Sequence, residues 1–343
     1  MRFALSPEQL DFGASLRKLL EAGRTPAAVR AWASGDSGPG RALIRQLAEA
    51  GVLGLAVAER HGGIGAEPID LVVAFQEIGR AAVPGPLVET AAAIPALLQA
   101  LPDQEPAARW LPGLAEGTAL GTVAFASPGP GGVALDADAA EVVLLADANQ
   151  LATGHRAGLV RSIDPARRLF AVTALETVAE GEQVRAAAAA GFDTGALACA
   201  AQLLGAGRAL LHASTEYAKQ RKQFGKPIGE FQAVKQKLAD VLIALDLAEP
   251  LLYRAALTMT SPTRGRDVSA AVIACGDAAH RAARAALQVH GAIGYTAEYD
   301  LSLWLTKVTA LRSAWGTSDV HRARIARALR EDTDRDRAER GIA

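Results

Sequence analysis

Residues Tyr217–Gln232 read YAKQRKQFGKPIGEFQ, a basic string that turns at Phe224–Gly225 and is fixed again by Pro227. Upstream, Leu203, Leu204, Leu210, Leu211 and Tyr217 recur at near-heptad spacing. Downstream, Leu238, Val241, Leu242 and Leu245 follow the i, i+3, i+4, i+7 rule of a helix with one apolar face. The string is therefore the turn between two long helices. Arg221 is a permanent cation whose planar fork suits a diphosphate. Phe231 and Gln232 open the next helix. A solvated basic turn has the same composition, so the string alone leaves both readings open.

Working toward the C-terminus, Pro250 should kink the second helix or end a turn there. Asp267–Leu287 reads as a third, alanine-dominated helix that neighbours can approach closely. It ends in QVHGAIGYTAE, Gln288–Glu298, where Gln288 can hydrogen-bond a ligand edge and Gly291, Ala292 and Gly294 let backbone come near one. His290 reads as a satisfied helix-end histidine rather than a catalytic one. Leu301–Ala314 and, after WGTSD, Val320–Arg330 complete the helical region. Four antiparallel helices of this length make a bundle.

Toward the N-terminus, Ser6, Pro7 and Gln9 give an N-cap, a proline in the first turn and a capping-box partner. Helices are expected at Pro7–Leu20, Arg41–Ala50 and Ile69–Gly79. The glycine-rich Gly51–Pro68 has no strand–loop–helix signature and reads as a tight connection. Between the helical regions, Ala119–Ala126, Glu141–Ala146 and Arg168–Leu175 are short β-prone runs punctuated by Pro, Gly and Asp, as in a small antiparallel barrel or sheet. The expected organisation is 1–118 helical, 119–188 β and 189–343 helical bundle.

The chain's 343 residues suffice for two or three packed units, and a formal charge of −1 gives no electrostatic case for nucleic acid or an anionic membrane. Cys199 and Cys275 sit far apart in alanine-rich runs, which argues against a disulfide framework or a metal site. The N-terminus lacks a signal-peptide h-region, and no apolar stretch reads as a membrane span of roughly 18 to 20 residues. The expected location is the cytoplasm.

The two opening strings resemble the acyl-CoA dehydrogenase patterns R-x-x-F-G-x-P-I-x-x-F-Q and Q-x-x-G-G-x-G-[FY]-x-x-E, with Ala292 where that family usually has its second glycine. LAEAGVLGLAVAERHGGIG and FQEIGRAAVPGPL resemble the family's first helical domain. The resemblance runs from Phe3 to about Leu329 and is weakest in the middle. It implies a mainly α fold with an N-terminal helical domain, a small central β domain and a C-terminal four-helix bundle. It also implies FAD-dependent α,β-dehydrogenation of an acyl-CoA thioester, in fatty-acid or sterol side-chain oxidation. In such enzymes a carboxylate removes the α-proton while the flavin accepts the β-hydride. The family is usually tetrameric, a dimer of dimers, and electron-transfer flavoprotein is among the partners to consider. Residues matching Arg221, Phe224 and Gln288 reach the adenosine-diphosphate part of a neighbouring subunit's FAD. Phe231, Gln232, Gly291 and Ala292 belong to the same contacts, and Thr317 to Asp319 match residues near the chain's own FAD.

Three departures stand out. The family's usual base is a glutamate just before a Gly-Thr pair; here Gly316–Thr317 follows Trp315, whose indole N–H is a donor only. The alternative glutamate site of some members falls on Gly195, leaving Asp193 and Asp319 as displaced candidates. The flavin-wrapping Thr-Glu-Pro loop and Trp-x-[TS] strand are replaced by FASPGPGGV at Phe125–Val133, and Thr306 and Lys307 stand for an expected Arg-Asp pair. A general base contributes roughly 10² to 10⁴ in rate, about 3 to 5 kcal/mol of barrier. The leading expectation is a subunit of a hetero-oligomeric dehydrogenase, such as an α2β2 assembly, in which another chain supplies the glutamate. An autonomous dehydrogenase using Asp193 or Asp319, a flavin monooxygenase on the same fold, and a non-catalytic interaction subunit are the alternatives.

Overall fold

The structure is a computed structural model and describes residues 4–126, 131–147 and 149–339, with side chains to residue 334. It begins with α1 (Pro7–Ala22), whose capping box forms as the sequence implies: Gln9 N donates to Ser6 Oγ and Ser6 N to Gln9 Oε1. Then come α2 (Thr25–Ala33), α3 (Gly38–Glu49), α4 (Pro68–Arg80), one π-helical turn (Glu89–Ala93) running into α5 (Ile94–Gln99), and α6 (Glu105–Ala115). Gly51–Pro68 is a connection containing two short 3-10 turns, Val52–Gly54 and Glu59–His61. The reading of the sequence has no counterpart to α2. That short helix is held by tertiary contact: Trp32 is fully buried and its Nε1 donates to Asp136 Oδ1 at 3.1 Å.

Five strands follow: β1 (Gly121–Phe125), β2 (Gly132–Leu135), β3 (Val142–Ala146), β4 (Gln150–Val160) and β5 (Leu169–Glu180). Of the FASPGPGGV segment, Ser127–Pro130 lie outside the described residues. The sheet order is β1-β3-β4-β5-β2, and β1 pairs with β3 in parallel while the other pairs are antiparallel. An all-antiparallel sheet was the expectation. It fails because β2 leaves the side of β1 and pairs with β5 at the other edge, so β3 returns beside β1 in the same direction. The sheet curls over a small core of its own, Ala124, Ala134, Ala137, Leu145, Phe170 and Val172.

The C-terminal region is α7 (Glu182–Gln220), a minute hairpin of β6 (Lys222–Gln223) and β7 (Lys226–Pro227), α8 (Gln232–Leu257), α9 (Arg264–His290), α10 (Leu301–Ala314) and α11 (Ser318–Glu339). Helices α7 to α10 pack as the bundle, α11 lies on α9, and α4 packs against α7. Helix α7 starts at Glu182, well before the expected Asp193, because the alanine run Ala186–Ala190 simply extends it. Helix α8 does not end at Pro250, which is exposed; it continues to Leu257. The reading that no apolar stretch reaches the length of a membrane span is corrected in length only. Helix α7 is long and apolar enough, by length and composition, to cross a membrane. Yet 72% of its apolar 18-residue window is buried inside the protein, which is how the central helix of a packed bundle looks.

Candidate active-site cleft and cofactor arm

A cleft of about 660 Å³ opens between the curled sheet and the junction of α10 with α11. Val123 and Phe125 of β1, Leu169 of β5 and Phe192 of α7 form its apolar walls, and Trp315, Gly316 and Thr317 close one side. Trp315 is 5% exposed. Its ring meets Phe125 at 5.7 Å and Phe192 at 6.0 Å between centroids. Its carbonyl accepts a hydrogen bond from Nε2 of the buried His321 at 2.9 Å, so backbone and ring are both held. Burial keeps that imidazole below its ordinary pKa, hence neutral.

The indole also lies directly on Gly195. A Cβ at residue 195 would stand 2.3 Å from Cζ3 of Trp315, closer than real contacts allow. The two sequence positions at which a base was sought, 315 and 195, thus converge on one spot, and a single indole fills it. Neither displaced candidate lies there. The buried carboxylate of Asp193 is taken up by Arg264 Nε at 2.8 Å and Arg324 Nη2 at 2.5 Å, which ties α7 to α9 and α11. The Asp319 side chain is 94% exposed and touches Arg322 at 3.3 Å. Thr317 lines the cleft; Asp193 and Asp319 do not.

Two cleft residues escaped the sequence reading. Glu89, in the π-helical turn, is 4% exposed, and its Oε2 has no hydrogen-bond partner among the described residues. Burial pushes its pKa up to about 7, partly offset by the nearby Arg167 charge. Arg167, in the loop between β4 and β5, is 9% exposed. The signal for Glu89 was a lone carboxylate inside LVETAAAIPALL; RSIDPARRL offered none for Arg167. Lys307 is also buried: its ammonium donates to the carbonyl of Val83 at 2.8 Å, and Trp304 Nε1 donates to that of Arg80 at 2.9 Å. Where an Arg-Asp pair was expected, α10 is instead fastened to the segment ending α4.

At the other end of α7 the basic string forms an arm. Arg221 terminates the helix, and the hairpin turns through Phe224 and Gly225 at φ +52° and +81°. Phe224 is 93% exposed and meets the half-buried Phe231 edge to face at 6.2 Å. The Lys226 ammonium sits 4.6 Å from the centre of the Phe231 ring, a cation–π contact. Tyr217 stacks on His290 at 4.3 Å, which brings the Arg221 and Gln288 strings to one end of the bundle. Arg221, Gln232, Gln288, Gly291 and Ala292 are all exposed there. Gln288 borders a groove of about 620 Å³ between α8 and α9, beside Lys237, Arg281 and Arg284. His290 is satisfied at Nδ1, which donates to Ala286 O at 2.8 Å, while Nε2 has no partner among the described residues.

Comparison with known proteins agrees with this arrangement. The acyl-CoA dehydrogenase N-terminal domain model matches residues 6–118 and the C-terminal domain model residues 184–330. Acyl-CoA dehydrogenase IpdE2 of Mycobacterium tuberculosis is 37% identical over 285 residues, covering 82% of this chain and 85% of that protein. The fold superposes on butyryl-CoA dehydrogenase of Megasphaera elsdenii with a TM-score of 0.84 at 22% identity, over 96% of this chain and 100% of that one. A chain of the ChsE4-ChsE5 complex of Mycobacterium tuberculosis gives 0.84 at 23% identity, over 96% and 99%. With both domains matched and an N-terminal helical unit, a curled sheet and a helical bundle in that order, the chain belongs to the acyl-CoA dehydrogenase family.

Proposed function

We propose that this chain is a subunit of an FAD-dependent acyl-CoA dehydrogenase that lends its arm to the flavin site of a neighbouring, glutamate-bearing chain. One length, estimated from the helix geometry, carries the reading. Arg221 follows Gly195 by 26 residues within α7 and its cap, which at 1.5 Å per residue separates arm from cleft by about 39 Å. That is further than one dinucleotide cofactor spans, so an arm of this geometry serves another chain's cofactor.

The residues at the two ends fit FAD unequally. At the arm, a guanidinium, an exposed aromatic ring and the Gln288 amide stand on open surface, and a Cβ at Gly291 would meet nothing within 4 Å. Such a set holds a diphosphate and a flat base: Arg221 by its fork, Phe224 by its face, Gln288 by its amide. FAD, when bound, supplies the hydride acceptor for the β-carbon. At the cleft, the place of the proton acceptor is filled by Trp315, which cannot take up a proton. This chain's own side chains therefore bind and position, and the partner's carboxylate moves the α-proton. Electron-transfer flavoprotein is the acceptor class this reading implies. The ChsE4-ChsE5 complex, a neighbour by fold, is itself named for two chains.

The test is to purify the chain alone and co-expressed with a family member from the same genome that keeps the glutamate. The pair is expected to carry one FAD per two chains and to dehydrogenate acyl-CoA, while the single chain does not. Arg221→Ala should lower flavin occupancy of the pair at least tenfold and leave the fold of the chain unchanged. Robust turnover by the single chain, with one FAD per chain, would sink the proposal.

A further inference from the structure

Arg167 carries a permanent charge in a place where a protein of this charge balance would be expected to pair it. It is nine-tenths buried and lines the cleft, yet among the described residues no carboxylate lies within ion-pair distance of it. Its electrostatic neighbours, Glu89, Asp136 and Lys307, influence it only at longer range. Asp136 accepts from Trp32 Nε1 and from Arg168 N through Oδ1, and its Oδ2 makes no hydrogen bond among the described residues, to Arg167 or to any other group. Arg168, the neighbour in sequence, is paired with Asp138 at 2.5 Å, which makes the lack of a partner at Arg167 the more informative. A buried guanidinium with no direct ion pair gains from any anion that can reach it through the cleft.

The rest of the cleft says what would supply it. Arg161 stands on the same rim, and Glu89 presents its unpartnered carboxyl oxygen to the same space. Ser162, Ser313 and Thr317 add hydroxyl groups to the lining, and Val123, Phe125, Leu135, Leu169, Phe192 and Trp315 supply its apolar surface. An apolar chamber of about 660 Å³ with a cationic, hydrogen-bonding end selects a molecule of matching polarity. A phosphate would leave the apolar walls facing water, and a plain hydrocarbon would leave Arg167 without a direct ion pair.

We propose that this cleft binds an apolar acid, its carboxylate against Arg167 and Arg161 and its carbon skeleton against the Phe125, Phe192 and Trp315 rings. Glu89, in its protonated form, donates a hydrogen bond to the same carboxylate. The site is separate from the arm and stands whether or not the arm serves a partner.

The probe is octanoate, with 1-octanol as its neutral counterpart, titrated calorimetrically into the full-length chain at pH 6.5. Octanoate is expected to bind at least tenfold more tightly than 1-octanol. Arg167→Met should abolish that preference by weakening octanoate at least tenfold while changing 1-octanol less than twofold. Glu89→Gln, which keeps the donor, should stay within about threefold of wild type. Equal binding of the two probes by wild type overturns the proposal, as does octanoate binding that survives R167M. So does a stoichiometric flavin in the single chain that excludes octanoate. Should R167M fail to fold, a crystal soaked with 8-bromooctanoate decides the matter: bromine at the Trp315 end supports the proposal, and bromine at the Arg167 end or nowhere in the cleft refutes it.

Discussion

The contact between Trp315 and Gly195 can be tested as a coupling energy. Trp315→Ala removes a buried ring packed on Phe125, Phe192 and α7, and should cost about 3 to 5 kcal/mol. Gly195→Ala is caught between opposing effects. Alanine favours the interior of α7 by about 1 kcal/mol over glycine. Its Cβ, however, would sit 2.3 Å from a ring that cannot retreat, because two phenylalanines flank it and His321 holds its carbonyl. Overpacking of that kind costs about 1 to 3 kcal/mol, so the single variant should be level with wild type or less stable by up to about 2 kcal/mol. Without the indole only the helix preference remains, and the same substitution should stabilise the Trp315→Ala chain by about 1 kcal/mol. The expected coupling is about 1 to 3 kcal/mol in favour of the double variant. Urea unfolding of the four chains, followed by far-ultraviolet circular dichroism, measures it. Additivity within about 0.5 kcal/mol would refute the claim that the two base positions meet at one spot.

Asp193→Asn should cost about 2 to 3 kcal/mol, because Arg264 and Arg324 lose a shared buried carboxylate but remain about a third exposed; the shift in unfolding midpoint checks it, and an unchanged midpoint combined with lost turnover would restore Asp193 as a base. Glu89 gives a pH signature whose sign is fixed. Its folded pKa, about 7, lies above the ordinary carboxyl value of 4.5, so the folded chain binds the proton more tightly. That contribution is complete below about pH 4.5 and is lost as pH rises through about 7, and Glu89→Gln should flatten the slope of stability across this window. The buried Asp136, raised to about 6, adds a fall of the same sign that the variant leaves in place.

What the sequence disclosed depended on how local the cause was. The capping box of α1 and the turn of the arm are settled by residues within a few positions, and both were legible. Strand β4 was not: Gly154 and Gly158 interrupt it, and His155–Val160 face solvent, so no alternation marks it. The parallel pairing of β1 and β3 depends on where β2 docks, which no local pattern encodes. The candidate site divides in the same way. Trp315 was visible as a residue in the wrong place, but its contact with Gly195 required the fold. Asp193 looked available because its partners lie 71 and 131 residues away. Glu89 acquires its chemistry only from burial inside a π-helical turn, and Arg167 only from burial in the wall of the cleft.

The backbone of Phe224 has one more consequence. A left-handed φ of +52° is uncomfortable for a residue with a Cβ, at a cost of roughly 1 to 2 kcal/mol, and 93% exposure returns almost nothing from hydrophobic burial. Judged as a folding unit, the isolated chain would do better with glycine or asparagine at this position. Directed evolution for thermal tolerance of the single chain would therefore drift toward those residues and erase the ring. The arm would survive as a shape and fail as a contact, and a screen that reads only melting temperature would record the loss as an improvement.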